Sequence, residues 1–194
     1  NGRIYYWVAG QIWSVRLNED GSFGTARWEL DVADPASGND VTSIVFDRQG
    51  RMILAQRGAT VGAYDYGELA EAGTSAVVRY QREFPDDPET PSTWVAVPDS
   101  YAIGLASAGF AASGGVAMGQ GYVAASEEFA GACGVTLWAS GDALRNNPDL
   151  DPPVDGPMYV HGLQGVMKTL VRPFNEPPRE AVFTDLDGNV DDET

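Results

Sequence analysis

The chain has 194 residues, 43% hydrophobic and 21% charged, with 28 acidic against 12 basic residues and a net charge of −16. That length and composition suit one folded core, and the charge excludes a protein that grips nucleic acid through phosphate contacts, which need a basic face. An anionic membrane surface would repel it too, leaving a cationic partner, a neutral one such as a carbohydrate or protein, or a divalent metal.

Helix-period patterns are nearly absent. Short β-type runs divided by Gly, Pro, Asn and Asp follow one another instead. "RIYYWVAG" opens the chain, and "QIWSVRL" alternates Trp13, Val15 and Leu17 with Ser14 and Arg16, the period of a half-buried strand. After the turn "NEDGSFG" comes "ARWELDVA". "VTSIVFD", the turn "RQG" and "RMILAQRG" make a hairpin, followed by the excursion "ATVGAYDYGELAEAGTS", whose "GELAEAG" is the best candidate for a helical turn. "AVVRYQRE", an acidic Pro-rich loop and "TWVAVP" close that group. "GGVAMGQG", "GVTLWASG", "MYVHGLQG" and "TLVRP" form a third, with a single turn expected in "SGDALRNNP", and "AVFTD" comes last.

Between Tyr101 and Ser126 no residue is charged, yet the run is rich in Gly, Ala and Ser and carries Gln120. A membrane-spanning helix needs about 20 predominantly apolar residues, so this stretch is expected to be a loop entering a buried strand. Cys133 stands alone, which rules out a disulfide within the chain; in "GACGVTLW" it reads as a small buried strand residue. Eleven of the basic residues are Arg and only Lys168 is Lys. Salt adaptation and a GC-rich genome both account for that.

The grouping of strands points to repetition. Candidate first strands begin near Val41, Ser113 and Ala181, a spacing of about 70 residues. "IVFDRQGRMI" (44–53) and "AVFTDLDGNV" (181–190) share the strand–turn pattern, and "NGRIYYW" matches "QGRMILA". The expectation is an all-β, propeller-like array of antiparallel sheets forming one segment over 1–194. Its blade-like units fall at about 1–34, 41–98 and 112–173, with a closing strand and turn at 181–190. In this register Ala181–Asp185 would lie beside Arg3–Gly10, removing exposed edges. Propellers have typically four to eight blades. The chain opens on Asn1 and supplies about three, so further propeller chain or a second copy is expected to complete the ring.

"VTSIVFDRQGRMILAQRG" resembles the strand–turn–strand unit of the NHL and SMP-30/gluconolactonase-type propellers, and "GQIWSVRLNEDGSFG" the adjoining strand and turn. The likeness spans Gly2–Gly58 and Ala76–Pro98 with gaps. "VHGLQG", "LVRPFNEPP" and "VFTDLDG" are similar to secreted propeller proteins of alphaproteobacteria. The resemblance implies a fold, and a secreted, periplasmic or cell-surface location. Gluconolactonase-type enzymes hold a divalent metal in the central channel with Glu and Asn/Asp ligands. Asn39 lies where one ligand would fall, although its interval to Asp47 is longer than the family pattern, and a turn role for Asn39 competes.

The acidic tail "DLDGNVDDET" places Asp185, Asp187, Asn189 and Asp191 on alternate residues, the spacing by which a tight loop offers oxygens to Ca²⁺. Val190 stands where such a loop wants Gly, and Asp and Gly also serve plain turn geometry. His161, the only His, is expected to be a hydrogen-bonded structural group. No nucleophile elbow, zinc-protease helix motif, paired-cysteine motif or phosphate loop occurs. The Trp residues read as core between sheets, while Tyr64 and Tyr66 in the acidic excursion are candidates for a protein or carbohydrate contact. The sequence therefore favours a secreted or envelope binding or structural module without catalysis, with a Ca²⁺-dependent lactonase-like hydrolase as the alternative.

Overall fold

The computed structural model describes residues 2–33, 39–59, 71, 73–85, 93–106, 108–123, 128–154, 156–186 and 188. Tyr64, Tyr66, Asp187, Asn189 and Asp191 lie outside these residues, as does most of the candidate helical turn "GELAEAG". The described residues form thirteen strands and no helix, so no helix is long and apolar enough to cross a membrane.

Three antiparallel sheets carry the architecture, and none closes into a barrel. The first joins β1 (Arg3–Val8), β2 (Gln11–Leu17) and β3 (Phe23–Asp31) in order. The second is the meander β4 (Asp40–Phe46), β5 (Met52–Arg57), β6 (Val77–Tyr80) and β7 (Asp99–Tyr101). In the third, β8 (Ala112–Gly119) pairs with β11 (Thr136–Gly141), then β12 (Gly162–Met167) and β13 (Val182–Asp185) follow. β9 (Gly121–Val123) and β10 (Glu128–Ala130) make a separate two-stranded ribbon.

Turn chemistry explains the hairpins. Ala9 and Gly10 link β1 to β2 with φ of 46° and 82°, the left-handed pair that a two-residue loop demands if it is to follow the twist of its strands. Between β4 and β5, the buried Asp47 carboxylate accepts from the Gln49 and Arg51 amides and from the Arg51 guanidinium. Gly50, at φ 73°, closes this turn by donating to the Asp47 carbonyl. The Asp and the Gly are thus both set by geometry.

β5 is buried on both faces. Met52 and Leu54 join Ile12, Leu30, Tyr5 and Trp7 of the first sheet. Ile53 and Ala55 join Ala112, Val116, Leu137 and Val166 of the third. This is why "MILA" reads as an unbroken apolar run rather than an alternation. The second sheet is therefore the middle layer of a stack of three. It approaches the third most closely at β8, where a Cβ on Gly114 would fall 2.3 Å from Thr42 Oγ1, and Thr42 donates to the Gly114 carbonyl.

The structure corrects several expectations. "TLVRP" forms no strand, since β12 ends at Met167 and the next strand begins at Val182. In β2 the buried positions are Ile12 and Ser14, and Leu17 is exposed. Val182–Asp185 does not lie beside Arg3–Gly10: it pairs with Gly162–Gly165 as the outer strand of the third sheet, so a unit does not begin at Ala181. "TWVAVP" is not a strand. Trp94 makes a single bridge with Arg82 and is buried between sheets, while Val95 and Val97 are exposed; the fourth strand of that sheet is β7, where the sequence carries no strand signal. Cys133 is exposed, in a turn flanked by Gly131 and Gly134 at φ 84° and 78°. Trp28 is 49% exposed rather than core.

A polar latch joins the second and third sheets. Arg79, 5% exposed, donates to Asp99, to the Tyr101 hydroxyl and to the Lys168 carbonyl, and Tyr101 also donates to that carbonyl. Burial pushes the Asp99 carboxyl up, but hydrogen bonds from Arg79 and Gln81 outweigh it and leave the group below its ordinary value. Burial pushes the Tyr101 phenol up against the opposing pull of Arg79. It does the same at Tyr80, whose hydroxyl accepts from the Ala33 amide. A tyrosine raised in the folded state contributes stability that is fully present below the unfolded value of about 10 and is lost as pH rises through the folded value. Melting temperatures measured from pH 8 to 12 are expected to fall steeply above 10, and Tyr80→Phe to flatten that fall. A parallel fall in Tyr80→Phe and the parent chain would overturn this assignment.

Candidate functional site

The cavity that includes a predicted site residue lies where the first and second sheets meet. It is lined by Trp7, the Ala9–Gly10 turn and Val32, whose amide donates to the Gly10 carbonyl, from one side, and by Asn39, Asp40 and Gln56 from the other, with a volume of about 370 Å³. That volume is at the small end of ligand sites, which run from about 300 to 1,000 Å³. Local structure sets its rim. The β1–β2 turn fixes Ala9 and Gly10, Asp40 opens β4, and Asn39 is anchored by donating its side-chain amide to the Thr74 carbonyl. Gln56 is fully buried. The Trp7 indole nitrogen is buried with no acceptor among the described residues.

The chemistry offered here is one carboxylate, two carboxamides and an indole. Asn39 thus has the structural anchoring expected of a turn residue and also borders a cavity. Among the described residues no group of three or more His, Cys, Asp or Glu is placed to hold a metal. Asp185, the described member of the tail set, pairs with Gly162 in the third sheet and is not among the residues lining this cavity. Asn39 and Asp185 are therefore not joined in one site.

His161 bonds through Nδ1 to the Asp142 carboxylate, and both side chains are mostly buried. The pair ties the segment before β12 to the end of β11, which fits the structural role expected of a lone His.

A second feature escaped sequence reading. Glu29, whose side chain is wholly buried, accepts from the Ser14 hydroxyl, from Arg27 and from the Trp94 indole. It sits beneath a groove of about 570 Å³ walled by Trp28, Tyr80, Trp94 and Val95. The signal was the alternation in "ARWELD", which puts Arg27 and Glu29 on the face of β3 opposite Trp28. Such a carboxylate reads as surface charge until the partner sheet is known. Because its contacts are met by protein donors, it acts as a structural anchor.

Comparison of the chain with protein-family profiles, with curated proteins and with solved structures finds no match in any of the three.

Proposed function

We propose that this chain is a non-catalytic binding or structural module, an arc of a propeller-like array of sheets that works outside the cell or at the cell envelope. The observation that supports the array is the second sheet, covered on one face by the first and on the other by the third. Successive four-stranded meanders packed face to face are the way a propeller buries its sheets. The location follows from the resemblance to secreted propellers, and further propeller sheet is the partner such an arc requires.

A second reading, a Ca²⁺-dependent lactonase-like hydrolase, is favoured by one feature: Asn39 and Asp40 border a cavity. Asn39 and Asp40 would supply two of the six to eight oxygens that Ca²⁺ takes, so the described residues alone do not complete a calcium set. Calorimetric titration with Ca²⁺ and assay of lactone hydrolysis separate the two readings. No lactone turnover above background is expected. Tight Ca²⁺ binding together with turnover that Asn39→Ala abolishes would overturn the module. Ca²⁺ binding without turnover, lost only on Asp187→Ala, would instead place a structural ion in the tail and leave the module standing.

A further inference from the structure

The two ends of the stack differ. On the outer face of the third sheet lies the β9–β10 ribbon: Tyr122 shares a cavity with Thr136, Trp138 and Gly165, and the Trp138 indole donates to the Gln120 carbonyl. Among the described residues nothing comparable covers the first sheet. Its inner face meets the second sheet through Tyr5, Trp7, Ile12 and Leu30, so the alternate residues turn outward. Phe23 and Trp28 there expose 66% and 49% of their surface, and Ile4, Val8 and Leu17 between 44% and 49%. None of these five belongs to a core cluster. The one charge among the outward strand positions is Asp31, at the margin, where Gln11 and Trp28 engage it.

Cross-strand pairing gives this face a relief. Tyr6, Trp13 and Trp28 stand in one tall row, Ile4, Val15 and Ala26 in a lower row beside it, and Leu17 with Phe23 in a third. A copy turned about a two-fold axis can lay its tall row over the other's low row, so one surface complements itself, as a closed pair of identical chains requires. Trp13 donates its indole N–H to Gln11 and Trp28 its own to Asp31. No indole donor is left for a partner, and sugar hydroxyls or a peptide backbone laid there would give up water without replacing it. The face suits an apolar occupant. An aromatic side chain carries roughly 150–250 Å², so Phe23 and Trp28 leave roughly 250 Å² open. The aliphatic residues, with the partly buried Tyr6, Trp13 and Val15, bring the patch to roughly 600 Å², the upper end for the largest apolar patch of a monomer. Two such faces together bury roughly 1,200 Å², which reaches the lower bound of a specific, stable complex.

We infer that the outer face of the first sheet docks on the same face of a second copy, making a two-fold dimer whose six sheets form one stack. The inference goes beyond the module reading and stands on the first sheet alone. Charge sets the character of the contact. Each copy carries −16, so two copies repel one another. Salt shortens the reach of exposed charges from about 30 Å at 0.01 M to about 8 Å at 0.15 M and leaves an apolar contact in place. The dimer therefore tightens as salt rises, the reverse of an assembly held by ion pairs.

The test is sedimentation equilibrium of the full 194-residue chain over a wide range of concentration, at low and at physiological salt. A particle of twice 20.7 kDa is expected, with a dissociation constant that falls as salt is added. Phe23→Glu should raise that constant about a hundredfold with unchanged far-ultraviolet circular dichroism, because the two-fold axis places the substitution twice; Ile4→Glu serves if Phe23→Glu does not fold. Phe174→Glu, at an 89% exposed ring between β12 and β13, should leave the dimer intact. A monomer under every condition overturns the inference, and so does a dimer that survives both first-sheet substitutions or is lost on Phe174→Glu alone. Particles that keep growing past two copies overturn it as well, since an open-ended contact joins two different faces. None of these results bears on the module reading, which fails on Ca²⁺-dependent lactone turnover instead.

Discussion

Arg79→Met is expected to destabilise the fold by about 3 kcal/mol, the largest effect of any polar substitution considered. Arg79 is 5% exposed and supplies donors to Asp99, to Tyr101 and to the Lys168 carbonyl. Removing it strands an acceptor on each side of the junction between the second and third sheets. Breaking a buried ion pair costs about 3–5 kcal/mol. The lower end applies because Asp99 keeps 32% of its side chain in contact with water. Urea unfolding at neutral pH measures the effect. Adding Asp99→Leu to Arg79→Met should recover part of the loss, since the orphaned carboxylate is then gone. A loss below about 1 kcal/mol would show that the latch is bridged by solvent and does not hold the sheets together.

Leu137→Ala is expected to cost about 3–5 kcal/mol. The side chain is fully buried between the second and third sheets, among Ile53, Val77, Val116 and Val166. Truncating a buried leucine commonly costs about 2–5 kcal/mol, the higher values where surrounding groups cannot collapse into the void. Here both walls are hydrogen-bonded sheets, which yield little. Val97→Ala is the control. Val97 is 83% exposed, and its loss should shift stability by no more than about 0.5 kcal/mol. Equal effects at the two positions would mean that the second and third sheets do not pack together in solution.

What could be read in advance was local. The hairpin "VTSIVFDRQGRMILAQRG" announced itself because Asp47 and Gly50 are required by the turn they make, and the alternation in "QIWSVRL" marked β2 as a strand but pointed to the wrong face, since Ile12 and Ser14 are the buried positions and Leu17 is exposed. The errors concern partners distant in sequence. β13 pairs with β12 across the segment 168–181, and nothing in "AVFTD" distinguishes that neighbour from β1. β7 is three residues long and follows Pro98, too short to show a period. "TWVAVP" alternates like a strand, yet it is Trp94 alone that is drawn inward, by the Glu29 carboxylate and the inter-sheet core. The candidate site divides the same way. Asn39 could be named as a polar residue at a strand entrance, but the cavity beside it exists only because the β1–β2 turn is brought opposite β4. The tail residues Asp187, Asn189 and Asp191 lie outside the described residues, so their spacing stands as a sequence pattern.

β5 has a mechanical consequence. Its successive side chains are set alternately into two different neighbours, and all of them hang from one backbone. Close-packed interiors transmit displacement because they compress little. A push on Ile12 from one flank therefore reaches Leu137 on the far flank through Met52, Ile53, Leu54 and Ala55, without passing through any loop. The strand behaves as a stiff spar under load from two sides, and neither flank shifts without tugging on the other.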